Sequence, residues 1–395
     1  MPAFFAARRK LWAVGGLWGG ALLAAFDVYA AIVTYIPQYA VRNDFRLMYG
    51  AALATERHGY AHLYDLGAQQ AAIDSLGPQF YFSAFLNPPP LVWLVTPLTA
   101  LPFGAAVIVW TVLILAAAAL AWFLSAPGDP LTRAAFAAMF AGLFPVAFGI
   151  MVGQPVALVA AAVAACWWLA ARDRDWLAGV ALSVMVVKPQ LALLVPVCLL
   201  VSGRVRIFAG WLIPSAVMGL VAVALLGADG LSRYREALSL ASNWQITRSF
   251  AVSGLVGTGP PLYVASAIAL AAALFAAWRW RGHGVEIPIA AGITGSLLFT
   301  PYVGFQDFAM LVLAGWLVVR SQPNAWQIAL LVVGYALLEL CLLVQSVPIL
   351  TGEVLLLASF IYWAPRRGAT HSAPFAQTAP IEQAPNASFA QNVRN

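Results

Sequence analysis

The stretch QYAVRNDFRLMYGAALATERHGYAHLYDLGAQQAAIDSLGPQFYFSAFLNPPP, Gln38 to Pro90, is a polar island in an apolar chain. It carries Asp44, Glu56, Asp65, Asp74, Arg42, Arg46, Arg57, His58 and His62. On either side, apolar runs alternate with short breaks, and about 20 apolar residues carry an α-helix across a bilayer core. Barrel strands would alternate polar and apolar residues, and these runs do not. Of the 395 residues, 63% are hydrophobic and 9% charged, where a soluble domain has about a quarter charged. The chain reads as an all-α, polytopic membrane protein with its membrane domain over residues 1–363. Residues 38–87 form its large first loop. Residues 364–395, rich in Ala, Pro, Gln, Ser and Asn with no apolar period, read as a disordered cytoplasmic tail.

The charges set a topology. The net charge of +6 is modest, and the basic residues flank apolar runs, a pattern of membrane orientation rather than nucleic-acid binding. Arg8, Arg9 and Lys10 precede the run Leu11–Ile36, which reads as a retained signal anchor with its N-terminus in the cytoplasm. The island is then outside. Arg172/Arg174, Arg204/Arg206, Arg279/Arg281, Arg320 and Arg366/Arg367 fall at alternate breaks. All are cytoplasmic if Pro88–Leu101 is re-entrant or fuses with the next helix, which gives about 12 spans. If Pro88–Leu101 crosses alone, the later half inverts. The remaining breaks then share the outer face: Asn43–Phe45 (NDF), Asn87–Pro90 (NPPP), Gly153–Pro155 (GQP), Lys188–Gln190 (KPQ), Asn243–Ser249 (NWQITRS) and Thr300–Asp307 (TPYVGFQD). Irregular polar backbone at membrane depth is tolerated only inside protein or at a wet cavity, so that face is expected to hold one. Within the island, Asn43–His58 and Asp65–Ser75 read as helices lying in the interface, the second capped by Asp65. Trp12, Trp167, Trp168, Trp176, Trp280 and Trp363 near run ends read as an aromatic belt. Cys166, Cys198 and Cys341 lie within apolar runs, so neither a disulfide framework nor a metal spacing is visible, and no cofactor is implied.

Taken in order, NDFRLMYGAALA, LYD, NPPPLVWLVTPLTALPF, GQPVALVAAAVA, LAGVALSVMVVKPQLALLVP and TPYVGFQDFAMLVL make the chain resemble glycosyltransferase family 87. These are integral membrane mannosyltransferases of the GT-C type that use polyprenyl-phosphate sugars. The resemblance implies a GT-C fold in the cell membrane, a bacterial inner membrane, with an extracytoplasmic active site. It implies a polyprenyl-phosphate-linked sugar donor, mannose being the leading sugar, and a lipid or glycan acceptor. It also implies an acidic residue in the first outer loop as catalytic base, the position that Asp44 occupies.

Each candidate residue has a plainer reading beside the functional one. Asp44 is either the base or an N-cap, since Asn43-Asp44-Phe45 precedes an amphipathic run. Lys188 is either a cation for the donor phosphate, isolated on the face opposite the arginines, or a lysine snorkelling to the interface. Arg248 is a second phosphate candidate, and Arg42 and Arg46 rank below it, since balancing Asp44 is their plainer reading. Asn87, Gln154, Gln190 and Gln306 either hydrogen-bond sugar hydroxyls or satisfy backbone groups freed by the prolines. Asp307 is either a helix N-terminal acid or a second active-site carboxylate. His58 and His62 read as solvated loop residues. Asp27, Glu339 and Glu353, inside apolar runs, support the alternative of a transporter or flippase of lipid-linked saccharides with a proton relay. That alternative calls for internal repeats, and the sequence shows no convincing one.

Overall fold

In a computed structural model, residues 7–241, 248–344 and 346–363 are described. The first apolar run folds as the helix Arg9–Ala30 and continues through a π-helical turn, Ala31–Tyr35, and a 3-10 turn, Ile36–Gln38. Trp18, Leu22 and Phe26 recur every fourth residue on one face and are exposed, as side chains meeting lipid would be. The other face meets the helix Pro130–Ala141 at glycines. A Cβ on Gly20 would stand 2.4 Å from the carbonyl carbon of Ala138. Only glycine lets the two backbones come this close.

The later apolar runs are helical. They are Phe103–Ser125, Pro130–Ala141 with Phe144–Met151, Val156–Ala170, Asp175–Leu182, Val195–Val201, Val205–Ala241, Pro260–Arg279, Glu286–Phe299, Ala309–Arg320, Ala325–Glu339 and Ser346–Tyr362. Among the described residues, four helical stretches are long and apolar enough to cross a membrane: Arg9–His58, Phe103–Ser125, Val205–Ser239 and Pro260–Arg279. Pro130–Ala141 and Phe144–Met151, bent by 58° at their break, make a fifth if counted as one span. Six further apolar helices among the described residues, such as Val156–Ala170 and Glu286–Phe299, have 10–17 residues. Fifteen residues of α-helix rise about 22 Å, short of the roughly 30 Å hydrocarbon core. The expected twelve crossings are therefore not a matter of helix length alone. At the bend, the backbone N–H of Phe144 donates to Oε2 of Glu339 at 2.9 Å. One of the intramembrane acids thus satisfies a donor that the broken helix leaves open.

The island departs from its expected form. The helix Phe45–His58 does not lie open in an interface: Phe45, Arg46, Met48, Tyr49, Ala51 and Ala52 are buried in the main core. The helix Leu66–Asp74 begins as expected, with the Asp65 carboxylate accepting from the Ala68 N–H at 3.0 Å. Pro89–Val95 and the 3-10 turn Thr96–Ala100 stand against Phe45–His58, where the Tyr49 hydroxyl donates to the Leu101 carbonyl at 2.7 Å. Leu101 is extended and Pro102 follows, so a break separates this piece from the helix Phe103–Ser125. The helix Val205–Ala241 is broken at Gly227, whose φ is 61°, and runs on beyond it. Its far segment reaches the island. Arg233 donates to the Ala61 carbonyl and pairs with Asp65, and Tyr234 stacks on Tyr64 at 4.2 Å.

Two tryptophans of the expected belt are core residues instead. The indole N–H of Trp167 donates to Glu286 and that of Trp280 to the Phe360 carbonyl, and both rings are buried. A buried indole needs such a partner. The tail over residues 364–395 and the part of the NWQITRS break at residues 243–247 lie outside the described residues.

Candidate active site

The start of the helix Phe45–His58 sets the site. Asn43 is extended (φ −87°, ψ 115°), and its Oδ1 accepts the N–H of Phe45 at 2.9 Å. Asp44 makes no capping bond with its side chain. The cap is therefore Asn43, and the Asp44 carboxylate is left for other partners.

That helix start docks on the Gly153–Pro155 break. The Asp44 N–H donates to the Val152 carbonyl at 2.7 Å. Gly153 has φ +74°, a left-handed value that suits glycine, and a Cβ there would stand 2.9 Å from the Asn43 Oδ1. Its carbonyl accepts from the buried Trp110 indole at 2.7 Å. With the break held this way, Gln154 faces Asp44, and its Nε2 donates to Asp44 Oδ2 at 2.8 Å.

From Gln154 the contacts run on through two more breaks. Lys188 Nζ donates to Gln154 Oε1 at 3.0 Å and to Asp307 Oδ1 at 2.6 Å. Asp307 Oδ2 in turn accepts the Gly304 N–H at 2.9 Å. Asp44, Gln154, Lys188 and Asp307, up to 263 positions apart by their own numbers (307 − 44), form one continuous hydrogen-bonded chain. Arg46 flanks it, buried, with Nη1 on the Asn43 carbonyl and Nε on the Tyr81 carbonyl, each at 2.7 Å. The same Nη1 stands 3.7 Å from Asp44 Oδ1, too far for a hydrogen bond.

The electrostatics separate the two carboxylates. Lys188 and Asp307 are both buried, 5% and 3% exposed, and they neutralise each other. The expectation of an isolated cation at Lys188 is corrected by this pair: a lysine taken out of water needs a partner. Asp307 closes the turn at Gly304, as an acid at a helix start does, and it also accepts from Lys188. Asp44 keeps about a third of its side-chain surface, 35%. Burial of its surroundings pushes the Asp44 carboxyl above the ordinary carboxylate range, while the Gln154 hydrogen bond and the Arg46 and Lys188 charges pull it back.

The other predicted residues fall around this chain. Gln306 is half-buried, and with Gln154, Gly149 and Ile150 it lines a cavity of about 20 Å³, room for roughly one water. Asn87 takes part through its backbone carbonyl, which accepts from the Tyr64 hydroxyl at 2.8 Å. Gln190 is half-buried in the 3-10 turn Pro189–Leu191. Arg248 begins a segment in which Phe250 packs on Phe305 and Phe308, and Ser253 donates to the Pro301 carbonyl. The segment thus lies against the loop that carries Asp307. The Arg248 Nε is buried without a hydrogen-bond partner. Arg42 bonds to Gln38 outside the cluster. Arg46 is more central than its sequence reading allowed, because two carbonyls that no pattern foretells hold it in place. Among the described residues, no group of three His, Cys, Asp or Glu side chains is placed to hold a metal.

Membrane-length apolar helices with an ionisable cluster where their breaks meet define a membrane protein built around a polar site. The family model for glycosyltransferase family 87 matches residues 85–301, more than half of the 395-residue chain, and the chain belongs to that family. It is a membrane glycosyltransferase. The matched residues include Asn87, Gln154, Lys188, Gln190 and Arg248, whereas Asp44, Gln306 and Asp307 lie outside them. No curated protein and no solved structure matches the chain.

Proposed function

We propose that the protein transfers a sugar, with mannose the leading assignment, from a polyprenyl-phosphate donor to the hydroxyl of a lipid or glycan acceptor, with Asp44 as general base. The observation that carries this reading is the convergence of four separate breaks, NDF, GQP, KPQ and GFQD, on one chain of side chains ending in a partly open carboxylate.

In the proposed step the acceptor O–H gives its proton to Asp44 as its oxygen attacks the anomeric carbon. The bond from that carbon to the phosphate oxygen breaks, and the electron pair leaves with the polyprenyl phosphate. The configuration inverts. A positioned base contributes about 10²–10⁴ in rate. The departing phosphate meets Arg248, whose Nε has no partner, and the third N–H of Lys188, two of whose three donors are committed to Gln154 and Asp307. Asn87, Gln190 and Gln306 line the approach for sugar hydroxyls.

The topology belongs to the same proposal. About twelve crossings, the short helices passing the bilayer together with their irregular breaks, place the cluster on the extracytoplasmic face and the arginine turns in the cytoplasm. A cysteine at Gly67 is then labelled by a membrane-impermeant thiol reagent in intact cells. Protection until the inner membrane is lysed would reverse the orientation.

The reaction is tested with purified protein in nanodiscs, radiolabelled polyprenyl-phosphate-mannose and a panel of membrane acceptors. Transfer that depends on Asp44 supports the reading. Transfer from a nucleotide sugar alone would overturn the donor. The acid limb of turnover should lie above the ordinary carboxylate range, because the base must be ionised and burial holds its proton to higher pH.

A further inference from the structure

Resting on the reading of Asp44 as base, we infer that Gln154 is a positioning residue whose amide is oriented by Lys188 and Asp307, committing Oδ2 of Asp44 to accept a hydrogen bond and leaving Oδ1 to take the acceptor's proton.

The argument is one of donors and acceptors. An ammonium group has only N–H donors to offer. Lys188 Nζ lies 3.0 Å from one polar atom of the Gln154 amide, so that atom must be the oxygen. The amide nitrogen must then be the atom facing Asp44 at 2.8 Å. A glutamine can ordinarily present either end to a neighbour, but here the cation removes the choice. Lys188 is fixed in its turn by Asp307, at 2.6 Å, and Asp307 by the Gly304 N–H. The polarity of the whole chain is set at its buried end and delivered at its open end.

Oδ2 of Asp44 therefore always meets a donor. That bond takes one lone pair of Oδ2, whereas Oδ1 accepts no hydrogen bond among the described residues, so Oδ1 is the freer basic site. Arg46, the cation on the same helix, does not occupy that site. Its guanidinium is held by the Asn43 and Tyr81 carbonyls and stays 3.7 Å from Oδ1. The charged and titratable groups around Asp44 are thus Arg46 from its own helix, Lys188 through Gln154, and Asp307 with Tyr302 beside it on the loop beyond.

Two substitutions separate this role from packing. Gln154→Met keeps the length and loses both hydrogen bonds. Gln154→Glu keeps the bond from Lys188 but turns an acceptor toward Asp44. Both favour protonated Asp44, the second more than the first. On the acid limb Gln154→Met should lose about tenfold more turnover than on the plateau, the scale of one hydrogen bond to an ionised group, and Gln154→Glu should lose more still. A second readout needs no substrate: reaction of Asp44 with a water-soluble carbodiimide and an amine, followed by peptide mass spectrometry across pH. Carbodiimides react with the protonated carboxyl, so the midpoint of labelling should rise in the order wild type, Met, Glu. The inference is overturned if the labelling midpoints coincide, or if the Glu midpoint is not above that of Met. If wild-type protein transfers no sugar but the midpoints move in this order, the function of Asp44 is wrong while its coupling to Gln154 stands.

Discussion

The two kinds of break between the helices use their cations differently. At the arginine breaks, Arg320 donates to the carbonyls of Ser125 and Ala126, and Arg133 to those of Phe123 and Ala126, all at 2.6–2.9 Å. These carbonyls end the helix Phe103–Ser125, where the dipole favours positive charge. Arg320 also lies over the Trp167 ring at 4.3 Å, and Arg172 over Trp168 at 3.7 Å. Each of these cations is spent on backbone or on a neighbouring ring. At the breaks rich in Pro, Gln and Asn, Arg46 is likewise held by backbone carbonyls, but Lys188 bonds to side chains, and the chain runs from Asp44 to Gln154, Gln154 to Lys188 and Lys188 to Asp307. Arginines that end helices hold a fold together. A chain of side chains with one partly open end can hold a reacting group in place.

Four substitutions sharpen or break that contrast. The largest effect is expected at Lys188. Lys188→Met leaves the Asp307 carboxylate buried and unpaired, which costs about 3–5 kcal/mol. Adding Asp307→Asn should restore more than half of it, since the neutral amide keeps an acceptor for Gly304. Thermal unfolding of both variants in nanodiscs reads the difference, and equal instability of the two would break the pairing argument.

Next is Asp44→Asn. Asn43 caps the helix, so the fold should be untouched, while turnover falls by about 10²-fold or more. Near-normal turnover in a variant that melts like wild type would move the base to another carboxylate, and the two sets of breaks would no longer differ in function.

Arg320→Met comes third. It withdraws donors from the carbonyls of Ser125 and Ala126, which should cost about 1–3 kcal/mol in unfolding, with turnover per folded molecule unchanged. A selective loss of turnover would place function at the arginine breaks too.

The smallest effect belongs to Arg204→Met. Its pair with Asp175 is long, 3.8 Å, and about a third of the arginine side chain is exposed. Such pairs are worth up to about 1 kcal/mol, so neither melting nor donor binding should change beyond that. Set beside Lys188→Met, this compares a half-open ion pair with a closed one.

Much of the fold is written in the sequence. The apolar runs mark the helices, because backbone polar groups in hydrocarbon must be satisfied within the segment. The prolines and glycines mark the breaks, and the order of motifs marks the family. Asp65 as a helix cap is legible because a cap and its helix are neighbours in the chain. Asp44 is not legible in the same way. Asn43-Asp44 offers two capping residues, and only the backbone angles show that Asn43 takes the role. That Lys188 is paired, that the helix Phe45–His58 is buried, and that Trp167 and Trp280 are core residues depend on what other helices bring to the same place. Composition and periodicity report which residues prefer to leave water. They do not report which distant break supplies the missing partner, since hydrogen bonds act over about 3 Å and Lys188 lies 119 residues from Asp307. The sequence by itself determined the helices, their breaks and the residue types gathered at them; the packing of those breaks against one another decided which carboxylate is closed by a lysine and which is left open.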